Sequence, residues 1–115
     1  MFRRLATLSS AALLAVLLSA PSAFAFGPLC ERYMNNALEV AAIQTVSRNM
    51  QYTPETLCSL ERILDVQIVH TNLLDENQRP IPHTWLTLHY NEYSCQYYVR
   101  DADKVVTKKN CYNTF

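Results

Sequence analysis

The sequence predicts an α+β domain, with an N-terminal helix and a short second helix packed on a four-stranded antiparallel sheet and two disulfides holding the whole. Three observations predict it. Apolar residues recur at helical spacing from Leu29 to about Met50. Beyond Arg62 the repeat shortens to two, in runs separated by polar, turn-forming segments. Four cysteines (Cys30, Cys58, Cys95, Cys111) follow an N-terminal export signal, and an even number in a small exported chain reads as paired.

The export signal comes first in the chain. Arg3 and Arg4 give a positive start, and Leu5 to Ala20 is apolar except for Thr7, Ser9, Ser10 and Ser19. Pro21-Ser22-Ala23-Phe24-Ala25 then ends in a small-x-small cleavage site. Residues 1–25 are therefore expected to be a cleaved signal peptide. Residues 26–115 remain as one domain of 115 − 25 = 90 residues, periplasmic or secreted. The apolar run falls short of the roughly 20 residues that span a bilayer, and no later run approaches it, so no membrane anchor is expected in the mature form. Lipid attachment at Cys30 is the alternative, disfavoured by the bulky Leu29 before it.

In the mature part Pro28 suits a first helical turn, and Cys30, Tyr33, Met34, Ala37, Leu38, Ala41, Val46 and Met50 form an apolar stripe. Thr53 can cap a fresh helix with Pro54 and Glu55 in its first turn. Alternation from Leu64 to His70 predicts a first strand, followed by a polar loop through Asp75–Pro80. Ile81–Tyr90 and Tyr93–Arg100 read as a hairpin turning at Asn91-Glu92. Lys104–Tyr112 reads as a fourth strand after Asp101-Ala102-Asp103. For the disulfides, 30–58 with 95–111 is preferred because each joins neighbouring elements; two other connectivities stay open.

The hairpin register separates two faces. With Asn91-Glu92 as the turn, Tyr90 opposes Tyr93, Leu88 Cys95, Leu86 Tyr97 and Thr84 Val99, an apolar face expected under the helix. The other face carries His83, Trp85, Thr87 and His89 opposite Arg100, Tyr98, Gln96 and Ser94, with Val106 and Lys108 expected from the fourth strand. An aromatic pair, Trp85 and Tyr98, rimmed by His83, Arg100, His89 and Gln96, has the composition of a protein-binding hot spot. The competing reading is local: cross-strand aromatic pairs stabilise sheets by about 0.2–1 kcal/mol, and the loop near 72–80 could bury Trp85.

Several chemistries are excluded or weak. Gly27 is the sole glycine, which removes phosphate-cradling loops. Without its leader the chain has 10 − 2 = 8 basic and 10 acidic residues, net −2, with no basic stripe for nucleic acid. No CxxC pair points to zinc or thiol redox chemistry. His83 and His89 stand about 20 Å apart along one strand, too far to share a metal. No cofactor is expected. A small secreted hydrolase or toxin would need His70, His83 or His89 beside Glu61 or Glu92 and Arg62 or Arg100.

The helix-then-meander order resembles the layout of small exported inhibitor and immunity proteins of bacteria, some of them cystatin-like. The resemblance lies in architecture and size, and it implies a module that blocks another protein non-covalently: a toxin, a hydrolase or an envelope component. Alternatives are the secreted hydrolase, or a subunit of a secretion or surface assembly that exchanges an edge strand through Leu64–Val69.

Overall fold

The computed structural model of the protein describes residues 26–59 and 61–114. The expected signal peptide, 1–25, lies outside the described residues. A 3-10 turn (Pro28–Tyr33) precedes helices α1 (Ala37–Asn49) and α2 (Pro54–Leu57). Strands β1 (Asp65–Leu74), β2 (Pro80–His89), β3 (Tyr93–Arg100) and β4 (Val105–Asn113) follow, antiparallel and in the order β1-β2-β3-β4. The α+β architecture and both disulfides, Cys30–Cys58 and Cys95–Cys111, are as the sequence predicts. Among the described residues no helix is long and apolar enough to cross a membrane.

The first helix is not continuous. The Asn36 side chain accepts from the Leu38 and Glu39 amides at 3.0 and 3.1 Å and starts α1 afresh, because a short polar side chain competes for backbone donors. Upstream, Cys30 is buried and bridged to Cys58, and the Leu29 amide donates to Cys58 O at 3.1 Å. The tether holds the 3-10 turn against α2 instead of letting it extend α1. Thr53 caps α2 as expected, accepting from the Thr56 amide.

Ala42, Ile43 and Val46 of α1 meet Val66, Leu86, Leu88, Cys95, Tyr97 and Val99 of the sheet, with Leu57, Cys58 and Ile63 closing one end. Each is buried, and full burial of a side chain such as Ile43 or Leu86 is worth about 1.5–3 kcal/mol. The expected apolar face is the one under α1. Tyr93 departs from it, 40% exposed at the hairpin end and stacked on Tyr90 with centroids 4.5 Å apart.

The predicted β2–β3 register is the observed one, Leu88↔Cys95, Leu86↔Tyr97 and Thr84↔Val99, closed by the Tyr90 amide donating to Tyr93 O at 2.8 Å. Two other expectations change. β1 runs to Leu74 and the loop shrinks to 75–79, because the Asp75 carboxylate accepts from the Asn77 and Arg79 amides at 2.8 and 2.9 Å. β4 bulges between its pairings with Tyr98 and Val99, leaving Thr107 as the extra residue, so Val106 opposes Val99 on the helix face while Lys108 keeps the outer one. Pro80 and Pro82 fit inside β2 because their nitrogens point away from β1, past the end of β3.

With one glycine available, Gln51, Gln78 and Lys104 take the left-handed conformation in turns. Gln51 closes α1 in a Schellman motif, its amide donating to Arg48 O and the Tyr52 amide to Ser47 O. Replacing Gln51 with Gly is expected to raise the unfolding free energy by up to about 1 kcal/mol in chemical denaturation, as the strain relieved outweighs the added chain entropy. Gly27→Ala should lower it by about 1–3 kcal/mol, since Gly27 has φ 121° and an added Cβ would lie 2.8 Å from Cys58 O.

Candidate binding face

Strand registers place four rows across the outer face: Thr71–His83–Arg100–Val105, Val69–Trp85–Tyr98–Lys108, Gln67–Thr87–Gln96–Asn110 and Asp65–His89–Ser94–Tyr112. The described helices pack on the opposite face. The 75–79 turn prolongs the β1–β2 ladder and does not fold back over Trp85.

Trp85 and Tyr98 stack with centroids 5.3 Å apart and planes 13° from parallel, both partly buried. Lys108 Nζ lies 5.4 Å from the Tyr98 centroid. A stacked pair and a cation–π contact each add about 0.5–1 kcal/mol. Among the described residues the buried Trp85 Nε1–H has no acceptor. Beside the pair, Gln67, Val69, Thr87, Gln96 and Tyr112 surround a depression of about 180 Å³. The Gln96 amide has no hydrogen-bond partner among the described residues, so it and the aromatic edges are the groups left free to bind.

The other expected contact residues are engaged within the protein. His83 is only 3% exposed. Its Nδ1 donates to Ile81 O at 2.7 Å, and its Nε2 is hydrogen-bonded to the Thr107 hydroxyl at 2.8 Å. His89 sits between Ser94 Oγ and Gln67 Oε1, each at 2.7 Å. Arg100 forms a bidentate pair with Asp103 at 2.9 and 2.7 Å. That pair holds the Asp103 carboxyl below its ordinary value and raises the Arg100 guanidinium. His83 and His89 therefore order the face from within, and Arg100 forms its half-exposed rim.

Val69 (53% exposed) and Tyr112 (39%) belong to the face and were not anticipated. Val69 required the β1–β2 register, which depends on the tight turn at Asp75. Tyr112 shares the two-residue alternation of Lys108, and that signal was present in the sequence.

The three histidines are not brought together. His70 lies on the helix face, 2.6 Å from the Glu39 carboxylate, away from His83 and His89. Glu61 and Arg62 line a cleft of about 170 Å³ with Tyr52, Thr56, Ile63 and Tyr90. Among the described residues no three His, Cys, Asp or Glu side chains are grouped to hold a metal ion. In that cleft the Tyr90 phenol is pushed up to about 12, first by burial and then by the neighbouring phenols of Tyr97, Tyr93 and Tyr52, against a smaller opposing effect of Arg62.

Two measurements follow from these contacts. Neutral Tyr90 contributes stability that is complete below its unfolded value of 10.0 and is lost as pH rises toward about 12. A tyrosinate absorbance titration should lose a late-titrating phenol in Tyr90→Phe, and the variant should lose less stability across that range. Thr107→Val should cost about 1–3 kcal/mol in chemical denaturation, because it strands the buried His83 Nε2.

Comparison with known family models, curated proteins and solved structures finds no match to this chain.

Proposed function

We propose that this chain is an exported, disulfide-stapled binding module that blocks another protein non-covalently, as inhibitor and immunity-type proteins do. The partner would be a toxin, a hydrolase or an envelope component. The carrying observation is an outer face that no described helix covers, with a stacked Trp85–Tyr98 pair at its centre and, beside it, a Gln96 amide without a partner among the described residues. An aromatic centre with a polar rim is the pattern of interfaces whose energy resides in a few residues. Val69 and Tyr112 widen the apolar contact, while Lys108 and the Arg100–Asp103 ion pair supply a charged border.

Two disulfides support export, since such bonds persist in oxidising compartments. The histidines stand apart, and His83 and His89 have both ring nitrogens engaged within the protein, which favours binding over hydrolysis at this face, because general acid–base work requires a proton-carrying group free to reach substrate.

The test is affinity capture by the oxidised protein from envelope and secreted fractions, with Trp85→Ala run in parallel and its fold checked by circular dichroism. A partner held by the wild type should be lost or weakened about 30-fold or more in the variant, the roughly 2 kcal/mol expected of a hot spot. A partner retained equally by folded Trp85→Ala would remove this face from the interaction.

A further inference from the structure

β1 and β4 are the two edges of the sheet, and they differ in how far they are closed to another strand. A sheet edge presents a row of free N–H and C=O groups that pairs with any available strand, and natural proteins blunt it with lysines, bulges or covering groups. β4 carries Lys108, Lys109 and the bulge at Thr107. β1 carries no lysine, proline, glycine or bulge.

Half of β1 is closed by side chains. Asp75 donates its amide to Arg79 O, so the odd-numbered residues of β1 bond to β2 and the even-numbered ones face outward. At Val66 and Ile68 those outward groups are occupied. The Tyr33 hydroxyl donates to Val66 O at 3.0 Å and accepts from the Ile68 amide at 3.2 Å, and Arg32 Nη2 donates to Val66 O at 2.9 Å. One phenol thus stands in for a neighbouring strand. This covers most of the Leu64–Val69 stretch that the sequence suggested for strand exchange.

The plug ends there. Among the described residues the outward amides and carbonyls of His70, Asn72 and Leu74 have no partner. Leu74 is 61% exposed beside them, and Val69 53%. We propose that residues 70–74 of β1 are a self-association edge, through which two copies pair antiparallel about a two-fold axis at Asn72 into one eight-stranded sheet.

A second copy fits this edge for reasons of length and charge. With Asn72 opposite Asn72 of the other copy, His70 meets Leu74 and Thr71 meets Leu73, and every open group finds its complement. One step further out, Val69 meets Asp75, where the turn leads the chain away, and then Ile68 is already occupied by Tyr33. The pairing therefore stops where neither copy has more edge to offer. No like charges oppose each other; the only titratable side chain in the segment, His70, is held by Glu39 on the helix face. The pairing would also place two Trp85–Tyr98 rows on one continuous face, although it does not rest on the binding role assigned to that face.

Sedimentation velocity over a range of concentrations, with amide hydrogen exchange read residue by residue, tests the pairing. The wild type should associate reversibly to a dimer, and the His70, Asn72 and Leu74 amides should exchange more slowly as concentration rises. Asn72→Pro removes a central donor at a position where an edge strand tolerates proline, and Leu74→Lys installs a blunting charge. Both should be monomeric with unchanged circular dichroism; if Asn72→Pro does not fold, Leu74→Lys decides. Trp85→Ala should dimerise like the wild type. A protein monomeric at every concentration, an edge protected only by an added foreign peptide, or a dimer that folded Leu74→Lys leaves intact would each overturn the proposal.

Discussion

The register of the β2–β3 hairpin is the constraint on which the rest of the structure depends. A turn of two residues without glycine sets Tyr90 against Tyr93, and from that pairing every side chain of both strands receives a face. Leu86, Leu88, Tyr97 and Val99 go under α1, while Trp85, Thr87, Gln96 and Tyr98 go outward. A slip of one residue would send Arg100 and the histidines into the core and the leucines into water, at several times the 1.5–3 kcal/mol of one buried side chain. Cys95 carries the same register outward to β4, since its partner Cys111 lies directly across from it.

Around that hairpin, side chains replace the main-chain freedom that a nearly glycine-free sequence lacks. Asp75 builds the β1–β2 turn with its carboxylate, Asn36 starts α1 with its amide, and Thr84 anchors Asp101 after β3 through a 2.7 Å hydrogen bond. Tyr33 serves as a strand neighbour for β1. The two bridges add about 3 kcal/mol each by restricting the unfolded chain, a large share for a core of this size.

Where the sequence was legible, the signal was local and strong. The hairpin alternation from Ile81 to Arg100, the Thr53-Pro54 cap and the bridging of neighbouring cysteines each needed only nearby residues. Misplaced features depended on competition between side chains and backbone. Asn36 lies on the polar side of the predicted helix, where its side chain instead caps a fresh start at α1. Thr107 lies in an unbroken alternation, and as the bulged residue it bonds buried His83, two strands away. Of the site, Trp85, Tyr98 and Gln96 were legible from alternation alone. The internal engagement of His83, His89 and Arg100 was not, because it depends on Thr107, Gln67 and Asp103 arriving from other strands or turns.

The two faces therefore divide the labour, one packing under the described helices and the other carrying polar groups ordered by internal hydrogen bonds. The arrangement requires the predicted register to hold in solution. Cross-strand NMR contacts read it directly, since Trp85–Tyr98 and Thr87–Gln96 are non-hydrogen-bonded pairs whose α-protons lie close together. Strong α-proton contacts between Trp85 and Tyr98 and between Thr87 and Gln96 are the predicted result. Contacts from Trp85 to Tyr97 or Val99 instead would mean a slipped sheet, and both faces would have to be reassigned.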